Sequence, residues 1–208
     1  MQCIRTQYSS EESIKKSRFI GVLSPCINEL EVANNIKNLQ LAYPDASHIA
    51  FAYRIKTDNG FISRFNDAGE PSGTAGKPIF QHLEGKDLIN ILLAVIRYFG
   101  GVKLGAGGLT RAYGNTAKRV IEAAGLYPYI ERVEQHLTLT YKEMPAFEYF
   151  LKKLDGAIVK QNFAEQIHLS IQLPKQHLTL LTETYPVACH EDFLGPFENT
   201  FVRYEHKD

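Results

Sequence analysis

Between residues 100 and 108, five of nine positions are glycine, and this stretch lies between an apolar run, Leu88 to Ile96, and a helical pattern that ends at Ala124. A chain that passes from buried strand to helix through glycine brings its backbone close to something, either a neighbouring element or a ligand. Glycines before a helix N-terminus leave bare N–H groups at the positive end of the helix dipole, where a phosphate can approach. Lys103 and Arg111 would add charge there, and Gly107 and Gly108 would let the ligand come close. The segment is no Walker A loop, because no Gly-Lys-Ser/Thr follows, and no dinucleotide fingerprint, because Thr110 stands where a third glycine would. Turning the chain and packing helix on sheet is the other use such glycines have.

On the helix that follows, Leu109, Tyr113, Thr116, Val120 and Ala124 share one face, and Arg111, Asn115, Lys118 and Glu122 share the opposite one. A solvated face explains the second set. Arg111 and Lys118 also prolong the charge of the loop, as contacts along a phosphate backbone would require.

A second loop, Asn66 to Pro78, holds three glycines, two prolines and two acids in thirteen residues before a short helical pattern through Leu83. It reads either as a rigid turn presenting Asp67, Glu70 and Lys77, or as a run of tight turns with Ser72 or Thr74 capping the helix. His48 is the nearest partner for the two acids. A lone histidine in an apolar strand reads as a hydrogen-bonded structural residue, so neither a metal nor a cofactor is expected.

Residues 1–130 carry 15 Lys and Arg against 11 Asp and Glu and hold 13 of the 15 glycines, while residues 131–208 carry 8 against 12. Opposite charges and different backbone demands predict two domains, 1–130 and 131–208. In the first, strands are expected at Gln2 to Tyr8 and Ser17 to Leu23. A helix capped by Asn28 and Glu31 follows, then a hairpin of Ser47 to Lys56 with Phe61 to Asn66 around Asn59-Gly60. In the second, alternation and 3.6-residue periodicity predict βαββαβ, with helices from Pro145 and Pro174 and a last strand at Thr200 to Glu205. That order matches an α+β ferredoxin-like plan.

Cys3, Cys26 and Cys189 are too few and too scattered for a disulfide framework or a zinc site. No apolar stretch reaches the ~20 residues of a membrane helix, and no leader pattern opens the chain, which predicts a cytoplasmic protein without a membrane partner.

Gly69-Glu70-Pro71-Ser72-Gly73-Thr74-Ala75-Gly76 within Phe65 to Phe80, and Arg97-Tyr98-Phe99-Gly100-Gly101-Val102-Lys103-Leu104-Gly105 with Gly108-Leu109-Thr110-Arg111-Ala112-Tyr113, resemble the Impact N-terminal domain. The tail suits the bacterial two-domain members of that family, the YigZ-like proteins. The resemblance implies an N-terminal domain like ribosomal protein S5 domain 2 and a ferredoxin-like C-terminal domain, a pair similar to domains IV and V of elongation factor G. Eukaryotic members restrain the initiation-factor-2 kinase by binding its co-activator, but carry another module in place of this C-terminal domain.

These features favour a non-enzymatic binder of structured RNA or the ribosome, a translation regulator that contacts phosphates through Lys77, Arg97, Lys103, Gly107, Gly108, Arg111 and Lys118. A protein-binding regulator of translation or stress signalling is the alternative. A nucleotide-dependent enzyme is a further one, resting on the small-molecule kinases that share the S5-like fold.

Overall fold

The computed structural model describes residues 1–186 and 188. The chain forms two compact units, Met1–Tyr129 and a second from Ile130 onward. The first contains β1 (Gln2–Cys3), β2 (Tyr8–Ile14), β3 (Ser17–Pro25), α1 (Glu29–Ala42), β4 (His48–Thr57), β5 (Gly60–Asn66), α2 (Gly76–Gly85), β6 (Ile91–Tyr98), α3 (Ala106–Glu122) and β7 (Tyr127–Pro128). The second contains β8 (Arg132–Leu139), α4 (Met144–Lys153), β9 (Ala157–Phe163), β10 (Ile167–Pro174), a 3-10 turn at Lys175–His177 and α5 (Leu178–Thr184). The architecture is mixed α and β in two domains. The strand expected at Thr200 to Glu205, and Cys189, lie outside the described residues.

In the first unit, five strands in the order β2-β3-β6-β4-β5 form an antiparallel ladder of neighbours. β6 lies at its centre and is buried on both faces, which explains its unbroken apolar run from Ile91 to Ile96. One face packs on α2 and α3 through Phe19, Leu93, Ile79, Leu109 and Tyr113. The other packs on α1 through Val32, Leu39 and Leu92. The cap of α1 follows the sequence rule: the Asn28 side chain accepts from Glu31 N at 2.8 Å, and Glu31 reaches back to accept from Ile27 N at 3.0 Å.

Because β4 runs antiparallel to both β5 and β6, the C-terminal ends of β5 and β6 point the same way. The helices that follow them, α2 and α3, therefore both start at that one end of the sheet. A Cβ on Gly114 of α3 would meet His82 and Pro78 of α2 at 3.4 and 3.9 Å, so the helices lie in close contact. The start of β4 and the β2–β3 turn reach the same end, since His48 pairs with Arg97 and Arg18 with Tyr98.

In the second unit, β8, β10 and β9 form an antiparallel sheet in that order. Leu137, Leu139, Leu169 and Ile171 bury their face of it against Phe147, Leu151 and Leu181 of α4 and α5.

Candidate nucleic-acid interface

At the shared end of the sheet, the two glycine-rich loops are built differently. In the first, the Asp67 carboxylate accepts three backbone N–H bonds, from Gly73 at 2.9 Å, Ala75 at 3.0 Å and Gly76 at 2.8 Å. It occupies the start of α2, the place expected for Ser72 or Thr74; Thr74 instead donates to Pro71 O at 2.6 Å. Burial alone would raise the Asp67 carboxyl, but the three amides outweigh it and hold the group below its ordinary value.

Glu70 turns inward. Its Oε1 accepts from Arg97 Nη1 at 2.5 Å and from the Tyr113 hydroxyl at 2.8 Å. Burial, and the carboxylate beside it, push the Tyr113 phenol far above its ordinary value. His48 completes the cluster: Nδ1 lies 2.8 Å from the Ala68 carbonyl, which can only accept, so Nδ1 carries the proton. Arg97 is therefore no surface contact. It is 4% exposed, and its guanidinium lies 5.5 Å from the centre of the Phe19 ring and 5.4 Å from that of Phe99. The side chain at the end of the buried strand β6 points into the core, and Glu70 supplies its counter-charge.

The second loop keeps its polar groups outward. Gly105, at φ 72, is the N-cap of α3; no side chain caps the helix, and the first helical bond runs from Leu109 N to Gly105 O at 2.9 Å. The amides of Ala106, Gly107 and Gly108 precede that bond and have no helical acceptor. Lys103, Gly107 and Arg111 are exposed around them, and Gly108 is half-buried. Lys118 lies two turns further along α3, exposed and 3.7 Å from Glu122. Beside it, burial and then the Lys118 charge lower the His82 imidazole below its ordinary value. Lys77 is exposed in the first turn of α2, on the flank shared with Phe80, whose ring lies 6.0 Å from that of Phe65 on β5. Lys77 thus shares the sheet end with Lys103 and Arg111 but faces the β5 side.

Two cations complete the surface that sequence reasoning missed. Lys15 and Lys16 form the two-residue turn between β2 and β3, at φ 46 and 67, a conformation usually left to Asn or Gly. Gly100 is pressed against this turn: a Cβ there would lie 2.0 Å from the Lys16 carbonyl carbon. The turn and the loop are one surface. A pair of lysines where a strand folds back was the available signal, hidden because β2 has too polar an inner face to read as a strand.

Among the described residues, no carboxylate lies within ion-pair distance of Lys15, Lys16, Lys103 or Arg111, whereas Arg18, Arg54, Arg64 and Arg119 each have one. The same residues offer no group of three or more metal-ligating side chains, and none of their helices is long and apolar enough to cross a membrane.

Residues 15–121 match the model of the Impact N-terminal domain. The IMPACT family member YigZ of Escherichia coli is 32% identical over 164 residues, 78% of this chain and 80% of that protein. The chain belongs to the Impact family. A family member of Haemophilus influenzae is 34% identical over 167 residues, 80% of this chain and 81% of its own. A crystal structure of a hypothetical protein, 29% identical, superposes with a TM-score of 0.66 over 88% of this chain and 90% of its own. Both glycine-rich loops that meet at the sheet end lie within the matched residues 15–121.

Proposed function

We propose that this Impact-family chain is a non-enzymatic regulator of translation that binds structured RNA, free or in the ribosome, through the end of its N-terminal sheet. Lys15, Lys16, Lys103 and Arg111 contact phosphates, the bare amides of Ala106 to Gly108 donate to one more phosphate oxygen, and Lys118 extends the track. The observation that carries this reading is the set of exposed cations, Lys15, Lys16, Lys103 and Arg111, without an ion-pair partner among the described residues, around the uncapped start of α3. The commitment of Asp67 to three amides and of Glu70 to Arg97 and Tyr113 supports a binding role over acid–base chemistry, since both carboxylates are bound to partners within the chain. We also propose that the units correspond to an S5 domain 2-like and a ferredoxin-like domain. The β8, α4, β9, β10, α5 order supports the second assignment.

The test is affinity for a labelled structured RNA, with tRNA and ribosomal particles as probes. Lys103→Glu with Arg111→Glu is expected to weaken binding at least tenfold at about 0.1 M salt while leaving thermal stability unchanged. Wild-type affinity in that variant would remove the surface from the argument. Partners that co-purify after nuclease treatment would instead favour a protein target.

A further inference from the structure

Natural sheets protect their edges with charge, proline, bulges or a covering element. The two edges of the five-stranded sheet differ in this respect. β2 is the more highly charged edge: it carries Glu11 and Glu12, paired with Arg18 and Arg119, and ends in the Lys15-Lys16 turn. β5, Gly60–Asn66, has no proline, no lysine and an unbroken register with β4, and it exposes Phe61 at 45% and Phe65 at 47%. Its one charge, Arg64, lies 3.3 Å from Glu29 of α1.

The pairing fixes which backbone groups of β5 are unspent. Thr57 and Gly60 close the two-residue turn as a hydrogen-bonded pair, so Gly60, Ile62, Arg64 and Asn66 bond to β4, and Phe61, Ser63 and Phe65 turn their N–H and C=O groups outward. These three residues also share a side-chain face with Arg54, whose guanidinium lies 4.2 Å from the Phe61 ring centre. The arrangement is symmetric about Ser63.

We infer that the outer edge of β5 docks a second copy of this chain, antiparallel, about a two-fold axis through Ser63. In that register all three outward residues pair, Ser63 with itself and Phe61 with Phe65 of the other copy, so each exposed ring gains a cross-strand aromatic neighbour. The charges agree. The Asp58-Asn59 turn of one copy reaches the Asn66 end of the other strand, where a Cβ on Gly76 would lie 2.8 Å from the Asn66 backbone and Lys77 stands exposed beside it. Asp58 of each copy therefore faces Lys77 of the other, while Asp67 nearby is spent on its three amides. This inference is independent of RNA binding.

The experiment uses nuclease-treated full-length protein. Sedimentation equilibrium is expected to show a reversible dimer. Ser63→Pro, which removes an outward N–H and no internal bond, and Phe61→Lys with Phe65→Lys, in case the proline disturbs the strand, are each expected to raise the dissociation constant at least tenfold. Asp58→Lys and Lys77→Asp should each weaken the dimer, and together restore it. Under mild oxidation Ser63→Cys should cross-link above the wild-type background, because residues paired across the axis lie about 5.5 Å apart at Cα. Ile62→Cys should not, being displaced to roughly 8 Å from its own copy. A wild type that stays monomeric at all concentrations overturns the inference and leaves the edge to an extended peptide of another protein. Dimers unaffected by the β5 variants, or cross-links at Ile62→Cys equal to those at Ser63→Cys, overturn it as well.

Discussion

The loops of residues 66–78 and 99–108 both break a strand from a helix with glycine, at the same end of the same sheet, yet their polar groups go opposite ways. In the first, two acids turn inward, Asp67 onto the start of α2 and Glu70 onto Arg97 and Tyr113. In the second, no acid is present, α3 starts without a side-chain cap, and Lys103 and Arg111 stand in solvent. An acid in such a loop supplies from within the chain what a phosphate supplies from outside. On the proposed function, the acid-free loop is the one that takes up a ligand.

The contrast breaks most forcefully at Glu70. Glu70→Ala strands a buried guanidinium and is expected to cost about 3–5 kcal/mol in urea unfolding. Removing both charges, Glu70→Leu with Arg97→Met, should cost clearly less than the single change, since no buried ion is left alone. Equal losses would mean that the pair contributes shape and not charge balance.

Asp67→Ala comes next, at about 1–2 kcal/mol for a lost helix cap. Its pH dependence follows from the direction of the shift. The folded-state carboxyl lies below its ordinary 3.8, so its stabilisation is complete above that pH and fades as pH falls through the lower folded value. The stability gap between wild type and Asp67→Ala should therefore be constant near neutrality and narrow below about pH 4. A gap that holds at pH 2 would assign the effect to packing.

The second loop should respond in the opposite sense. Lys103→Ala and Arg111→Ala are expected to change unfolding free energy by less than about 0.5 kcal/mol each, as exposed side chains do. Differential scanning calorimetry checks this, and a loss above about 2 kcal/mol would show the loop to be as internally committed as the first.

What could be read from residues alone was the local order. The Asn28 cap, the two faces of α3 and the hairpin of β4 with β5 each rest on signals within a few positions. β2 was lost because its inward residues are Tyr8, Ser10, Glu12 and Ile14, a pattern with little apolar alternation; Glu12 is held by the Thr116 hydroxyl at 2.6 Å, 104 residues away. Arg97 looked like part of the basic loop because its partner Glu70 is 27 residues distant, and no local pattern predicts a buried ion pair. A longer separation hides Lys15 and Lys16, which join the candidate surface only when Gly100 packs on their turn.

The salt dependence of RNA binding tests the role of the second loop most directly. Wild type and a Lys15→Ala, Lys16→Ala, Lys103→Ala, Arg111→Ala variant would be titrated with the same structured RNA across a range of salt. If the four cations each displace a counterion, the slope of log affinity against log salt should flatten by about 3 in the variant. Two parallel lines would contradict phosphate contact at this end of the sheet.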